Sequence, residues 1–557
     1  MEQQSTQCNA VVMGVIDDGL AFAHQRFRTA ASGAVQSRVE YWWLQDGVYQ
    51  PGQSAPFGRE LVKVDIDKHL AVCSRDGVVD EEEFYRRVGL TDFTRGGHKS
   101  AAWRVSHGAH VMDQACGFEQ DEGRDDRPIV CVQLPIRVTA DTSGAHLLPY
   151  VHLAILYILS RAFDIASARG GGPLPVVINL SYGIFAGPHD GSAPIEDMFQ
   201  KVTAIAAAFG VTLRLVLPAG NSYESRTHAE VDQSAFVVNS DGSRTISLDW
   251  RIPLDCRVST FLEIWLPPLQ EGGNGAPRLC VKLTTPTGKS VEINEGAGVV
   301  VLSNSAMTGL DAIYGQLEFA PPSTPGGRGH FVVSLTPTVH RDGSSAPALA
   351  PAGVWTVTLV DHGLASGDTV NLWVQRDDTL YGFRIRGRQS YLDVPDYTRF
   401  DHEGLPEQAD DSLCLVRRAG TINAIATGAS PIVMGGYVRS NGAPAYYSSG
   451  GPTLPAPGTA SSANDGVTAV APTEDSPVQM GILGAGSRSG SVVALNGTSV
   501  AAPRTARCIA ELLAAGGNGD RAAIEALATA TPWPSSRLGA GMIDFAPVVD
   551  VRRSKME

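Results

Sequence analysis

A set of short apolar runs, separated by helical stretches, constrains this chain most. "VVMGVI" (11–16) runs into Asp17-Asp18-Gly19. The pattern returns at "PIVCVQLPI" (128–136), "PVVINLSYG" (175–183) and "VTLRLVLPAGN" (211–221). A strand that is apolar without alternation must be covered on both faces, as in a parallel sheet held between helices. The stretches between these runs have the helical period. "AHVMDQACG" follows His107, "LLPYVHLAILYILSRAFDIASA" spans 147–168, and "IEDMFQKVTAIAAAFG" (195–210) closes on a glycine. The alternation predicts an α/β domain with a mostly parallel sheet.

The texture changes near residue 240. "TISLDWRI", "TFLEIWLP", "RLCVKLTTPTG", "GQLEFAP", "HFVVSLTP", "GVWTVTLVDHG" and "TVNLWVQRD" are short, rich in Val, Thr, Leu and Trp, and separated by turn residues. They predict an antiparallel β-sandwich. The alternating pattern resumes near 420 ("GTINAIATGASPIVMGGYV"), with helices expected at 500–515 and 519–530. A chain of 557 residues exceeds a single core. The reading is therefore an α/β domain in two parts, 1–238 and 381–557, with a sandwich inserted at 239–380.

A formal net charge of −14 argues against nucleic-acid and anionic-membrane partners, both of which call for a basic face. No apolar run reaches 18 residues, and "MEQQSTQCNA" has neither a basic nor an apolar region of a signal peptide. Eight cysteines are scattered without a C-x-x-C pair, as in a reducing compartment. Together these features point to a cytoplasmic protein. The glycosylation-type triplets at Asn179 and Asn496 fall in segments assigned to the protein's centre and are chance matches. "SRDGVVDEEEF" (74–84) resembles half of an EF-hand loop, but aligning Gly77 and Glu83 places Val72 at the first ligand position, where it cannot coordinate Ca²⁺.

Four polar residues stand where chemistry is easily built. Asp17 ends a buried strand. His107, in "SHGAHVMD", opens a helix. Asn221 follows "LVLPAG" at another strand end. Ser499, in "LNGTSVAAPRTAR", sits at a helix N-terminus, where free N–H groups and the helix dipole favour developing negative charge. Singly, each has an ordinary reading: a turn residue, a loop histidine, a turn amide, a helix cap. Together they offer an orienting carboxylate, a base, an oxyanion donor and a nucleophile.

"VIDDG", "HGAHV", "PAGN" and "NGTSVAAP", in that order, resemble the Asp, His, Asn and Ser signatures of the subtilisin-like serine proteases, the subtilases. "INLSYG" (178–183) resembles the family's substrate-binding segment, and "AYYSSGGP" (445–452) and "GAGMIDF" (539–545) its later segments. The resemblance covers roughly 1–235 and 415–550. It implies a three-layer subtilisin-like fold interrupted by a jelly-roll-like insert. It also implies a bacterial-type serine endopeptidase acting on proteins or peptides, with Asp17, His107 and Ser499 as the triad and Asn221 in the oxyanion hole. Ser181, Tyr182 and Gly183 would pair with the substrate backbone, and Leu217, Pro218 and Ala219 would line the primary pocket. No cofactor is required. Structural Ca²⁺ is common in the family, but no ligand set can be assigned here, and the oligomeric state is not indicated.

The chain also departs from the pattern. Asp18 stands where bacterial members carry Ser or Thr, a "DDGL" wording shared with the kexin and furin branch. Ala109 replaces a Thr. Glu224 could favour a basic side chain at the pocket mouth or simply be a surface carboxylate. The interval from Asn221 to Ser499 is far longer than in a minimal member. About ten residues precede the first strand, where secreted members carry a chaperone segment; this fits either unaided folding or a leader already removed. Two other functions remain open: a peptide-binding pseudoprotease that regulates a partner, and a protease whose main role is set by a binding module in the sandwich.

Overall fold

The apolar runs form the middle of an eight-stranded sheet. The computed structural model describes residues 9–29, 35–141, 143–144, 146–269, 276–323, 326–340, 347–378, 387–457 and 466–549. Across the sheet the strands are Ala469–Glu474, Ile432–Val438, Leu213–Pro218, Val176–Leu180, Val12–Asp17, Ile129–Gln133, Val39–Leu44 and Arg59–Val62. Neighbours are parallel except for the last pair. Val12–Asp17 lies inside the sheet and is buried along its whole length, so it carries no polar alternation.

Helices Leu147–Ala168 and Pro194–Ala208 cover one face of the sheet; His107–Cys116 and Thr498–Ala514 cover the other. The domain thus has three layers. Leu147–Ala168 is long and apolar enough to cross a membrane by length and composition. In this fold its Val151, Ala154, Ile155 and Ile158 are buried in the core beneath the sheet. The segment that resembles an EF-hand is a two-residue-a-side hairpin (Ser74–Arg75 with Val78–Val79) followed by helix Glu81–Val88, which Asp80 caps by accepting from Glu83 N at 3.0 Å. Seven cysteines are described and all are unpaired; Cys8 lies outside the described residues.

Two antiparallel sheets, one of seven strands and one of six, enclose a separate core that includes Trp250 and Trp355, directly opposed in register and fully buried. The insert's limits differ from those expected. It begins at His228 rather than 239, because His228–Asp232 pairs with Thr369–Val374. Its last strand is Val416–Arg417 rather than a segment ending at 380, because that strand pairs with His228–Ala229. Neither short polar strand carries the Trp- and Thr-rich composition that marks the rest of the sandwich.

The sandwich is docked on the loop that follows strand Val176–Leu180. Trp373 is stacked between His189 at 4.1 Å and His228 at 4.7 Å, nearly parallel to both. Arg328 pairs with the buried Asp190 at 3.0 Å, and the Gly187 N–H donates to Glu263 Oε2 at 2.9 Å. Buried charge pairs and ring stacks of this kind fix one docking geometry, because a shift would leave charges unpaired.

Candidate active site

Asp17, His107, Ser181 to Gly183, Asn221 and Ser499 lie at one edge of the sheet, where strands end and helices begin. Asp17 is the last residue of its strand, Ser181 to Gly183 follow Val176–Leu180, and Asn221 follows Leu213–Pro218. His107 is the first residue of its helix and Ser499 the second of its own. In open α/β sheets the crevice outside the carboxyl ends of the strands is where side chains from several elements converge. Asp17, His107, Ser181, Asn221 and Ser499 all border one cleft.

Asp17 is 6% exposed, and its Oδ1 is 2.8 Å from His107 Nδ1. A carboxylate oxygen can only accept here, so Nδ1 carries the proton and Nε2 is left as the base. Asp18 N–H also donates to Asp17 Oδ1 at 2.7 Å. The Asp18 carboxyl turns the other way and accepts from Ser100 Oγ at 2.6 Å. Burial pushes Asp18 up to about 6, with Ser100 opposing the shift and the charge of Asp17 adding to it. For His107, burial acts downward, but the charge and hydrogen bond of Asp17 and the charge of Asp18 outweigh it, and its pKa is raised.

The pair depends on a close backbone approach. Gly108 N–H donates to Asp18 C=O at 2.9 Å, and a Cβ on Gly108 would lie 2.1 Å from that oxygen. Gly108→Ala is expected to push the Asp17–Asp18 turn away from the histidine helix. The cost is about 1–3 kcal/mol of stability, the range for overpacking a tight site. A lowered denaturation midpoint would register it, and an unchanged midpoint would contradict it.

The serine helix is built around a missing donor. Pro503 lies four residues past Ser499 and has no N–H, so the Ser499 carbonyl lacks its helical partner. Ser181 Oγ donates to that carbonyl instead, at 3.1 Å. Ser499 Oγ itself makes a long 3.5 Å contact with Ser181 C=O, and no hydrogen bond joins it to His107 among the described residues. Thr498 orients Asn221: its N–H donates to Asn221 Oδ1 at 2.9 Å, and its Oγ1 lies 3.0 Å from the same oxygen. With Oδ1 committed to donors, Nδ2 is the free end of the amide. Asn221 Nδ2 and the Ser499 N–H have no partner among the described residues, which leaves two donors for an oxyanion.

Ser181, Tyr182, Gly183 and Pro218 border the cleft, but Leu217 and Ala219 do not. Those two are buried in the core beneath the sheet. Strand residues alternate sides, so 217 and 219 face inward together while 218 faces the cleft. Glu224 is not at the pocket mouth; it accepts from Arg418 Nε at 3.0 Å. Among the described residues, no group of three or more His, Cys, Asp or Glu is placed to hold a metal ion.

The sequence profile of the subtilase family matches residues 388–544, the stretch that holds Ser499. That stretch is similar to the subtilases. The match does not extend to Asp17, His107 or Asn221. The solved structure of the Clostridium perfringens CspB protease shares the fold of this chain. It superposes with a TM-score of 0.63 at 18% identity, over 96% of this chain and 92% of the other. The PatG macrocyclase in complex with peptide aligns over 96% of this chain and 88% of its own, with a TM-score of 0.33 and 11% identity. No curated protein matches the sequence.

Two features of this cleft lie outside the motifs that carry the resemblance. Asn423 bridges its two walls: Nδ2 donates to Tyr182 C=O at 3.0 Å and Pro218 C=O at 3.3 Å, while Oδ1 accepts from Ile184 N at 3.1 Å. Gly183 leaves room for it, since a Cβ there would lie 2.7 Å from Asn423 Nδ2. In addition, Arg376, Asp378 and Gln389, from the sandwich segment, border the same cleft. Thr498 was visible in the sequence as a hydroxyl beside Ser499. Asn423 and Arg376 carry no local signal, since their placement depends on how distant segments pack.

Proposed function

We propose that the chain is a serine endopeptidase. Ser499 attacks the scissile carbonyl while His107 Nε2 takes its proton, and Asp17 holds the imidazole in the required tautomer and balances its charge. Asn221 Nδ2 and the Ser499 N–H receive the oxyanion. His107 then protonates the leaving amine, and water, activated by the same imidazole, hydrolyses the acyl-enzyme. The N–H and C=O of Gly183 make no hydrogen bond among the described residues, which suits an extended peptide pairing as an added strand. The observation that carries this reading is the Asp17–His107 pair sharing a cleft with Ser499 and with two unpaired donors.

Attack requires Ser499 Oγ to leave Ser181 C=O and turn toward Nε2, a contact that often tightens only when substrate is bound. The absence of that contact favours one other reading, a peptide-binding protein without turnover. A fluorophosphonate separates the two. On the peptidase reading it labels Ser499, found by mass spectrometry of the labelled peptide. An unlabelled Ser499 together with no cleavage of any peptide would sink this reading.

The acid limb of the pH profile follows from His107, which must be neutral to act as a base. Activity is lost as pH falls through its pKa, and that pKa lies above the ordinary 6.5. The midpoint of kcat/KM is therefore expected above pH 6.5. Asp18→Asn removes one of the charges that hold it up and should lower the midpoint. A wild-type midpoint at or below 6.5 would contradict the assignment.

A further inference from the structure

We propose that the inserted sandwich supplies a specificity-determining residue: the Arg376 guanidinium, in the wall of the cleft, receives a carboxylate of the substrate. The inference rests on the peptidase reading above and goes beyond it. The segment 375–378 leaves the sandwich strand Thr369–Val374 and keeps its alternation. Gln375 and Asp377 turn inward, 7% and 1% exposed. Gln375 Nε2 donates to Glu263 Oε1 at 2.7 Å, and Asp377 accepts from the Ser390 N–H at 2.9 Å and Oγ at 2.6 Å. Arg376 and Asp378 face the other way and border the cleft with His107, Tyr182 and Ser499.

Arg376 Nε donates to Asp378 Oδ1 at 2.6 Å. Its two terminal nitrogens have no partner among the described residues, so the outer edge of the fork is open. That edge presents two parallel N–H donors, the geometry a carboxylate accepts in bidentate fashion. The positive charge reaches the centre of the cleft: it acts downward on the pKa of both His107 and Tyr182. The other acidic groups of the cleft are committed, Asp17 to His107 and Asp18 to Ser100. Arg376 is the one Arg or Lys bordering the cleft among the described residues. Stability does not account for the pair. Both side chains are about a third exposed, where ion pairs contribute little, and the turn is already held by Gln375 and Asp377.

A substrate carboxylate can be an acidic side chain or a free C-terminus, and the test separates them. The full chain and its Arg376→Ala, Arg376→Lys and Arg376→Glu variants are titrated with a fluorophosphonate, so that kcat/KM refers to labelled Ser499. One peptide set has blocked ends and a Glu or Gln scanned through each position. A second set is all Gln, with a free or amidated C-terminus. Wild type is expected to favour one carboxylate-bearing set by about tenfold, the scale of a charged hydrogen bond at a part-exposed site. Arg376→Ala should abolish the preference, Lys should restore part of it, and Glu should reverse it. Preference for Glu in blocked peptides identifies a side chain; preference confined to free C-termini identifies the terminal group; either supports the proposal. A wild-type ratio near one, or a ratio that no variant moves, overturns it. Labelling with an unmoved ratio removes Arg376 and leaves the serine chemistry standing. No labelling at all sinks the peptidase reading and this assignment with it.

Discussion

Replacing Ser499 with Ala is expected to lower kcat by about 10⁶-fold, the loss seen when the nucleophile of such a triad is removed. On the peptidase reading the acyl-enzyme forms on this hydroxyl, which shares the cleft with His107. The substitution leaves the rest of the cleft intact. Ser499 Oγ makes only a 3.5 Å contact with Ser181 C=O, and the bond that anchors the helix start, Ser181 Oγ to Ser499 C=O, is retained. The variant should therefore fold and still bind peptides. Adding His107→Ala should cost little more, because the base has no proton left to take. Single-turnover cleavage of a peptide library checks this, with folding followed by circular dichroism. A variant that retains a tenth of wild-type activity would place the nucleophile elsewhere.

Asp17→Asn should cost about 10⁴-fold in kcat with little change in the fold. Asp17 Oδ1 accepts from both His107 Nδ1 and the Asp18 N–H. If the amide of an asparagine turns its nitrogen to the ring, Nδ1 must accept, the proton moves to Nε2, and the base is lost. If the oxygen stays, the geometry survives but the charge that stabilises the imidazolium is gone. In either case the leading cause that raises the His107 pKa disappears. The residual activity should then have its acid midpoint below that of wild type, a shift that a purely structural defect would not produce. A full pH profile of the residual activity measures both effects.

Asp17, His107, Asn221 and Ser499 stand out in the sequence because the chemistry proposed for them calls for particular residue types at strand ends and helix starts. Those positions fall just where an apolar run stops or a helical period begins. Asp17 closes "VVMGVI" and Asn221 follows "LVLPAG". The choice of Asp17 over Asp18 rests on the resemblance alone, since adjacent carboxylates differ only in which way the turn aims them. Leu217 and Ala219 were misread by treating three consecutive residues as one lining, when the strand alternates them. His228–Asp232 was missed as the opening strand of the insert because five mostly polar residues become a strand only through partners 137 or more positions away. Arg376 was invisible for the same reason: its position is set by the docking of Trp373 between two histidines and by Glu263 reaching Gly187.

The first and last strands of the sandwich, His228–Asp232 and Val416–Arg417, are paired with each other. The host chain therefore leaves and returns at nearly the same place, and its strands Leu213–Pro218 and Ile432–Val438 meet as if joined by a short connector. An unstructured excursion of that length would add loop-closure entropy to the host's sheet. A graft that first folds on itself removes that burden, so the order of assembly should run from insert to host. Away from the residues docked on the host loop, such a module is also free to diverge: its sheets can change length and sequence without disturbing the register of the strands that end at Asp17 and before Asn221.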